Sequence, residues 1–552
     1  MPTLEVSHKD LNQLIGKKLS VEQLKDLVLF AKSEIDSVEA GMFKIDVKDT
    51  NRPDLWSAEG IAREIKGRLG VAGCPKYSVG KSNVVVKVDS KMRSIRPYTV
   101  CAVARDLKLN KDSLSQLIQL QEKVNQTFGR NRKEVASGYY DLDKIKSPIR
   151  FTAVKPDAVK FPPLEFEQEM TPKEILEKHP KGKEYGHLLA GYKEYPAFID
   201  AKNEVLSIPP IINSDRIGQV TEKTRNIFLE CSGFNLKFLV PALNVMTCAL
   251  ADRNAKIESV KVAYNGTTMI TPELAPKKYS LDVDFVNSVS GLKMTSEMMA
   301  KLLKQARYDV SIKGNRMDVV YPAYRQDIMH PRDVAEDVIV SFGFNKIELD
   351  IPKLATVGSE NEREVFSNKV AEIMVGLGLQ EILSYTLTNR KNLFEKMSTK
   401  EETIVVIENA VSENWNVFRN WLLPGLLEFF SSNKHVEYPQ KIFEIGDAVL
   451  IDESKETKTA DRRKIGCAIA DTKVSYQEIS SLLDALLSNM GVKYKLKATD
   501  HPSFVNGRVA GVLVDGKPIG IIGEVHPSVL ENWNVEMPVA GFELDLDLIE
   551  KK

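Results

Sequence analysis

The chain has 552 residues, 43% hydrophobic and 28% charged, with a formal net charge of zero. That length exceeds what one hydrophobic core organises and implies about three to five domains. The neutral balance excludes a protein held on nucleic acid mainly by its own bulk field; any RNA contact must come from a local patch or from a partner.

Four segments follow from the pattern. In residues 1–82, Ser20 with Gln23 three positions on forms a capping box that opens a helix carrying Leu24, Leu27 and Val28. A strand over Met42–Val47 and a loop at Asn51–Ser57 precede a second helix, capped by Ser57, with Ile61, Ile65 and Leu69 on one face. The Arg, Pro and Trp of that loop suit a buried anchor at an interface. Residues 83–268 read as α+β, with strands at Val84–Val88 and Tyr98–Val103 and a helix near Leu114–Asn125. A buried helix at Val240–Ala251, with Pro241 in its first turn, closes the segment. The lysine- and glutamate-rich insert 173–193 reads as a solvated surface element. Residues 271–349 give helices at Val283–Ser290 and Ser296–Ala306, the second with Met298, Leu302 and Leu303 as its apolar stripe. A hairpin at Lys313–Asn315 and a last helix from Pro331 complete a winged-helix-like order. Residues 351–552 combine helices at Glu362–Val375 and Ser475–Asn489 with strands at Ile382–Thr388, Lys441–Ile445, Ile465–Ala470, Arg508–Val514 and Ile519–Gly523. Long helices on an antiparallel sheet make one larger α+β domain. No internal repeat is evident.

Little in the sequence points to chemistry of its own. P-loop, GxGxxG, GxSxG and HExxH patterns are absent. Lys396–Lys400 looks like a KMSKS loop, but no HIGH-type partner precedes it, so a helix-end turn is the better reading. Cys74, Cys101, Cys231, Cys248 and Cys467 stand apart without a CxxC pair, the pattern of reduced buried thiols in a cytoplasmic protein. No run reaches the roughly 20 apolar residues of a membrane span. The densest acidic cluster is Asp327 with Asp333, Glu336 and Asp337. The last three share one helix face at i, i+3 and i+4. Oxygens converging there suit a hard cation such as magnesium; acids in a first helical turn also serve simply to offset the helix dipole and cap free amides.

Taken together, Asn51–Glu64, Gly129–Arg132 with Tyr140–Asp143, Pro209–Ser214, Pro322–Ile328, Arg419–Leu427 and Gly523–Pro527 resemble, in order, the phenylalanyl-tRNA synthetase β subunit of archaeal and eukaryotic type. The resemblance implies an α+β multidomain chain. Its parts are an N-terminal α/β domain, an α+β editing-type domain, a winged-helix-like domain of the putative DNA-binding superfamily, and a C-terminal, catalytically inactive class II synthetase-like antiparallel sheet with helices. It implies an α₂β₂ complex with a separate α subunit that charges tRNA-Phe with phenylalanine, using ATP and Mg²⁺. No catalytic residue for that reaction falls on this chain. Asp327, Asp333, Glu336 and Asp337 carry over as magnesium ligands. Gln121, Arg132 and Ser214 match the region that hydrolyses tyrosine mischarged on tRNA-Phe, where an acid recognises the tyrosine hydroxyl. Asn235 stands where that acid is expected, which predicts weak or lost editing. The rival readings are a free-standing aminoacyl-tRNA editing hydrolase and a non-catalytic nucleic-acid-binding module.

Overall fold

The computed structural model describes residues 2–550. Two compact units make up the chain, Met1–Asp350 and Ile351–Lys552.

The first unit begins with the strand Thr3–Ser7, the helices His8–Ile15 and Val21–Val28, the strands Ser33–Glu39 and Met42–Val47, and the helix Ala58–Arg68. Ser20 and Gln23 make the reciprocal capping bonds that their spacing predicts, at 3.2 and 3.0 Å. Near the end of the unit come the strand Lys277–Asp282, the helices Val283–Ser290 and Ser296–Gln305, the strands Asp309–Lys313 and Arg316–Tyr321, and the helix Pro331–Phe342. Both sets run strand, helix, helix, strand, strand, helix. In both three-stranded sheets the last strand lies between the other two. The fold is therefore duplicated, although the sequence shows no repeat.

Between the two copies lies a mixed sheet of ten strands, from Val79–Val88 to Thr267–Thr271. The helix Leu236–Asp252 packs across the strands Tyr98–Arg105 and Ile227–Gly233. Its residues Leu239, Leu243, Met246 and Leu250 are fully buried. The insert expected to be a solvated element instead folds. The helices Pro172–Lys178 and Pro180–Tyr185 bury Ile175, Tyr185 and Leu189 in a small core of their own.

The second unit is a seven-stranded sheet, antiparallel except for its first pair. The helices Glu362–Gly376 and Tyr476–Asn489 cover one face through Val370, Met374, Leu483 and Leu486. The helix Leu423–Ser432 covers the other through Leu426, Leu427 and Phe430. The strand expected at 382–388 is only two fragments, Gln380–Glu381 and Leu387–Thr388. Between them Leu383 and Tyr385 face solvent, at 84% and 76% exposure, while Ser384 turns inward. Lys396–Lys400 is a helix-end turn with Met397 buried and Ser398 left-handed. Met298, expected on the apolar stripe with Leu302 and Leu303, is exposed; Met299 takes its place beside the buried Leu303. All five cysteines are buried and free.

Candidate functional site

A cavity of about 270 Å³ opens in the ten-stranded sheet region. The helix Lys111–Lys123 supplies Leu117, Gln121 and Glu122 to its wall, and the turn that follows supplies Asn125. Gln121 donates to the Ser137 carbonyl at 2.7 Å, and Asn125 Oδ1 accepts from the Ser137 amide and hydroxyl. Arg130, Asn131 and Arg132 all adopt left-handed backbone, at φ 50, 52 and 65. Such a run of non-glycine residues is costly and persists only where packing enforces it. Its result is to turn Arg132 inward. The Arg132 guanidinium donates to the Pro210 and Ile211 carbonyls, pairs with Glu122 at 2.9 Å and lies 4.3 Å over the Tyr185 ring. The folded insert thus forms part of the enclosure, and His179 and Lys181 line the cavity as well.

Of the four residues expected here, Gln121 and Arg132 are on the lining. Ser214 is buried behind it, its amide bonded to the Leu206 carbonyl. Asn235 is elsewhere in role: it is the N-cap of the helix Leu236–Asp252, with its side chain accepting from the Lys237 amide. The buried acid at the cavity is Glu230, which sequence reasoning missed. It alternates along Ile227–Gly233 with Phe228 and Ser232, so all three share one face of the sheet. The Tyr140 hydroxyl lies 2.7 Å from Ser207 Oγ and 3.2 Å from Glu230 Oε1. Glu230 Oε2, the Tyr139 hydroxyl and Arg132 Nε, all buried, have no hydrogen-bond partner among the described residues. Burial pushes the Glu230 carboxyl up to about 8, against the opposing pull of Arg96. The cavity therefore offers one buried acid and a fixed cation within apolar walls, a set able to orient a small polar-tipped molecule.

The acidic cluster has a different geometry from the one its spacing suggests. Arg325, 2% exposed, grips Asp327 with two bonds of 2.8 and 2.6 Å and Asp337 with one of 2.7 Å. Asp333 Oδ2 accepts from the Met329 and His330 amides, as a helix cap does. Glu336 pairs with Lys32 at 2.8 Å. Burial alone would raise the Asp337 carboxyl, but Arg325, Lys32 and Arg52 hold it below the usual carboxylate range. Asp327 is lowered in the same way, Arg325 outweighing burial. The duplicated first copy repeats the arrangement. Arg52 grips Asp54 at 2.8 and 2.7 Å and reaches Glu64 at 3.2 Å. The spacing is identical, an acid two residues on and another twelve on. A magnesium ligand set does not fit these carboxylates: two are held by one guanidinium, one is a cap and one is on an ammonium. Among the described residues no group of three or more acids, histidines or cysteines is arranged to hold a metal. In the Asn51–Ser57 loop, Arg52, Asp54 and Trp56 are buried within this unit and anchor the loop to its own fold.

In the second unit two cationic groups beside the sheet, Arg419 and Lys464, are engaged internally. Arg419 pairs with Glu444 at 2.6 Å, and Ser384 donates to the same carboxylate. Glu543 accepts from the Leu422 and Leu423 amides at the start of a helix and from Lys464 at 2.8 Å. A carboxylate thus sits where a helix N-terminus would otherwise attract an anion.

Comparison with known proteins agrees across the whole length. Residues 347–546 match the phenylalanyl tRNA synthetase beta chain CLM domain, and residues 279–344 match the tRNA synthetase B5 domain. The chain is similar to the phenylalanine–tRNA ligase beta subunit of Pyrococcus abyssi, 50% identical over 551 residues, covering 99% of each chain. It is 40% identical over 559 residues to the corresponding subunit of Korarchaeum cryptofilum, covering all of both chains. The crystal structure of an N-terminal fragment of the phenylalanyl-tRNA synthetase beta subunit from Pyrococcus horikoshii superposes with a TM-score of 0.61 at 51% identity. It covers 62% of this chain and 100% of the fragment.

Proposed function

The chain belongs to the phenylalanine–tRNA ligase β-subunit family, of archaeal type, and from that premise we propose that it joins a separate α subunit to attach phenylalanine to tRNA-Phe. The complex is an α₂β₂ tetramer in the cytoplasm. ATP and Mg²⁺ act in the α subunit. Asp327, Asp333, Glu336 and Asp337 are structural, and no step of the reaction runs through a metal on them. The observation that carries this reading is family membership over 99% of the chain, together with a second unit in which Arg419 and Lys464 are neutralised from within. A class II site needs free arginines on the triphosphate to offset charge in the transition state. Here Arg419 is paired to Glu444 and Lys464 to Glu543, so this class II-like core serves assembly rather than chemistry. Expression of the chain with and without the α subunit of the same genome tests it. Phenylalanine-dependent charging is expected only from the mixture; charging by this chain alone refutes it.

The cavity is an editing pocket. Glu230 takes the part that Asn235 does not, as the buried acid on the cavity lining that would meet a tyrosine hydroxyl, with Arg132 on the same lining. A site built to bond a hydroxyl rejects the analogue lacking it far more strongly than an apolar pocket can. Hydrolysis of tyrosyl-tRNA-Phe by the complex is the measurement. Glu230→Leu should abolish it with charging unchanged, and Asn235→Ala should leave it intact; the opposite pattern refutes the assignment.

A further inference from the structure

Lys32 belongs to the first copy of the duplicated fold, yet its side chain ends in the second. The residue closes the short helical turn Leu29–Ala31 in left-handed backbone, φ 51 and ψ 41. A lysine gains nothing locally from that conformation, which costs any residue with a Cβ. Its consequence is direction. The ammonium is brought to 2.7 Å from Asp49 Oδ2, 2.8 Å from Glu336 Oε1 and 3.9 Å from Asp337 Oδ1. The Lys32 side chain is only 9% exposed there. Lysine is almost never so enclosed unless it is paired, and here three carboxylates from two separate helical and loop elements surround it.

The neighbouring contacts run the same way across the two copies. Arg52 Nε lies 3.8 Å from Asp327 Oδ1, and Gln326 Nε2 donates to the Asn51 carbonyl at 2.6 Å. The arginine clamps within each copy account for Asp54, Glu64, Asp327 and Asp337. With Asp333 engaged as a cap, they leave Asp49 and Glu336 as the acids of the cluster still to be neutralised, and Lys32 reaches both.

We propose that the Lys32 ammonium is the resident counter-cation of this acidic cluster, standing where a divalent ion would otherwise be drawn, and that it locks the N-terminal module to the winged-helix-like one. The inference is independent of whether the cavity edits. A point charge on a flexible stem satisfies three carboxylates without the near-ideal octahedral geometry that Mg²⁺ demands. It also makes the junction indifferent to chelators.

Titration with Mn²⁺, a paramagnetic stand-in for Mg²⁺, tests the proposal on the full chain alone and assembled with the α subunit. The wild-type chain is expected to take up no stoichiometric Mn²⁺ at this cluster. Lys32→Met keeps the length and deletes the charge. It is expected to raise Mn²⁺ affinity ~10-fold or more, because unpaired carboxylates attract a cation that the ammonium had excluded. Adding Glu336→Gln should remove that gain. Hydrogen exchange should rise together in 29–49 and 331–342 of Lys32→Met. One Mn²⁺ per wild-type chain, displaced by Mg²⁺ and lost in Glu336→Gln, overturns the proposal, and this reading does not depend on any lysine variant folding. A folded Lys32→Met chain with no gain in Mn²⁺ affinity overturns it as well.

Discussion

Replacing Arg325 by methionine should destabilise the first unit more than almost any other single polar change in it. The guanidinium is 2% exposed and makes three bonds of 2.6 to 2.8 Å to Asp327 and Asp337. Without it, both buried carboxylates lose their main counter-charge. Breaking a buried pair from one side costs roughly 3–5 kcal/mol. Partners remain: Tyr308 donates to Asp337 at 2.6 Å, and Arg52 stands 3.8 Å from Asp327. The cost therefore belongs at the lower end, about 3 kcal/mol. Urea unfolding of the full chain reads it as a fall in the first unit's midpoint of about 0.5–1 M at unchanged slope. Arg52→Met should cost about as much, since its two bonds to Asp54 and its bond to Glu64 repeat the geometry. The triple replacement of Arg325, Asp327 and Asp337 by apolar residues of similar size should recover most of the loss, because no unpaired charge is left behind. A midpoint shift under ~0.3 M for Arg325→Met would contradict the clamp. So would a triple variant as unstable as the single one.

Two further outcomes follow from the same contacts. Glu230 is bound more tightly by a proton in the folded chain than in the unfolded one, its carboxyl moving from 4.5 to about 8. The stability this confers is complete below pH 4.5 and is lost as pH rises through about 8. Wild-type stability should therefore fall across that window relative to Glu230→Gln; parallel profiles would refute it. In the second unit, a Cβ added at Gly446 would lie 2.2 Å from an Arg419 nitrogen and 3.1 Å from Glu444 Oε1. Gly446→Ala should force the buried pair apart at a cost of about 1–3 kcal/mol, read as a lower thermal midpoint of that unit; an unchanged midpoint would show that the pair is not held there by close approach.

Local rules made the elements legible. The Ser20–Gln23 box, the Ser57 cap and the Lys313–Asn315 hairpin are short-range physics, and each stands in the structure within a residue or two. The strand expected at 382–388 failed because an apolar run does not say which of its residues find a core. There Ser384, not Leu383 or Tyr385, is the side chain the fold needs inside, for Glu444. The insert 173–193 was misread for the converse reason. Its composition is that of a surface, yet Ile175, Tyr185 and Leu189 are enough to close a small core over the cavity.

At both candidate sites, order along the chain and placement in space differ. A motif places residues along the chain; a strand or helix decides where they point. Asn235 follows the Ser232-Gly233 step and so looks like the site acid, but the strand ends at Gly233 and the next helix claims Asn235 as its cap. Two residues before Ser232, on the same face, Glu230 is already at the cavity. The acidic run from Asp327 to Asp337 likewise looks like a ligand set until it is laid beside Asn51–Glu64. Arg52, Asp54 and Glu64 keep the positions of Arg325, Asp327 and Asp337, while Gly60 and Arg63 stand where Asp333 and Glu336 do. Only the arginine and its two acids are common to both copies, and in both they make the same ion pairs. What both copies retain is the clamp that fixes the loop to the last helix. What differs is Asp333, a cap on its own helix, and Glu336, which reaches Lys32 of the other copy and so joins the two.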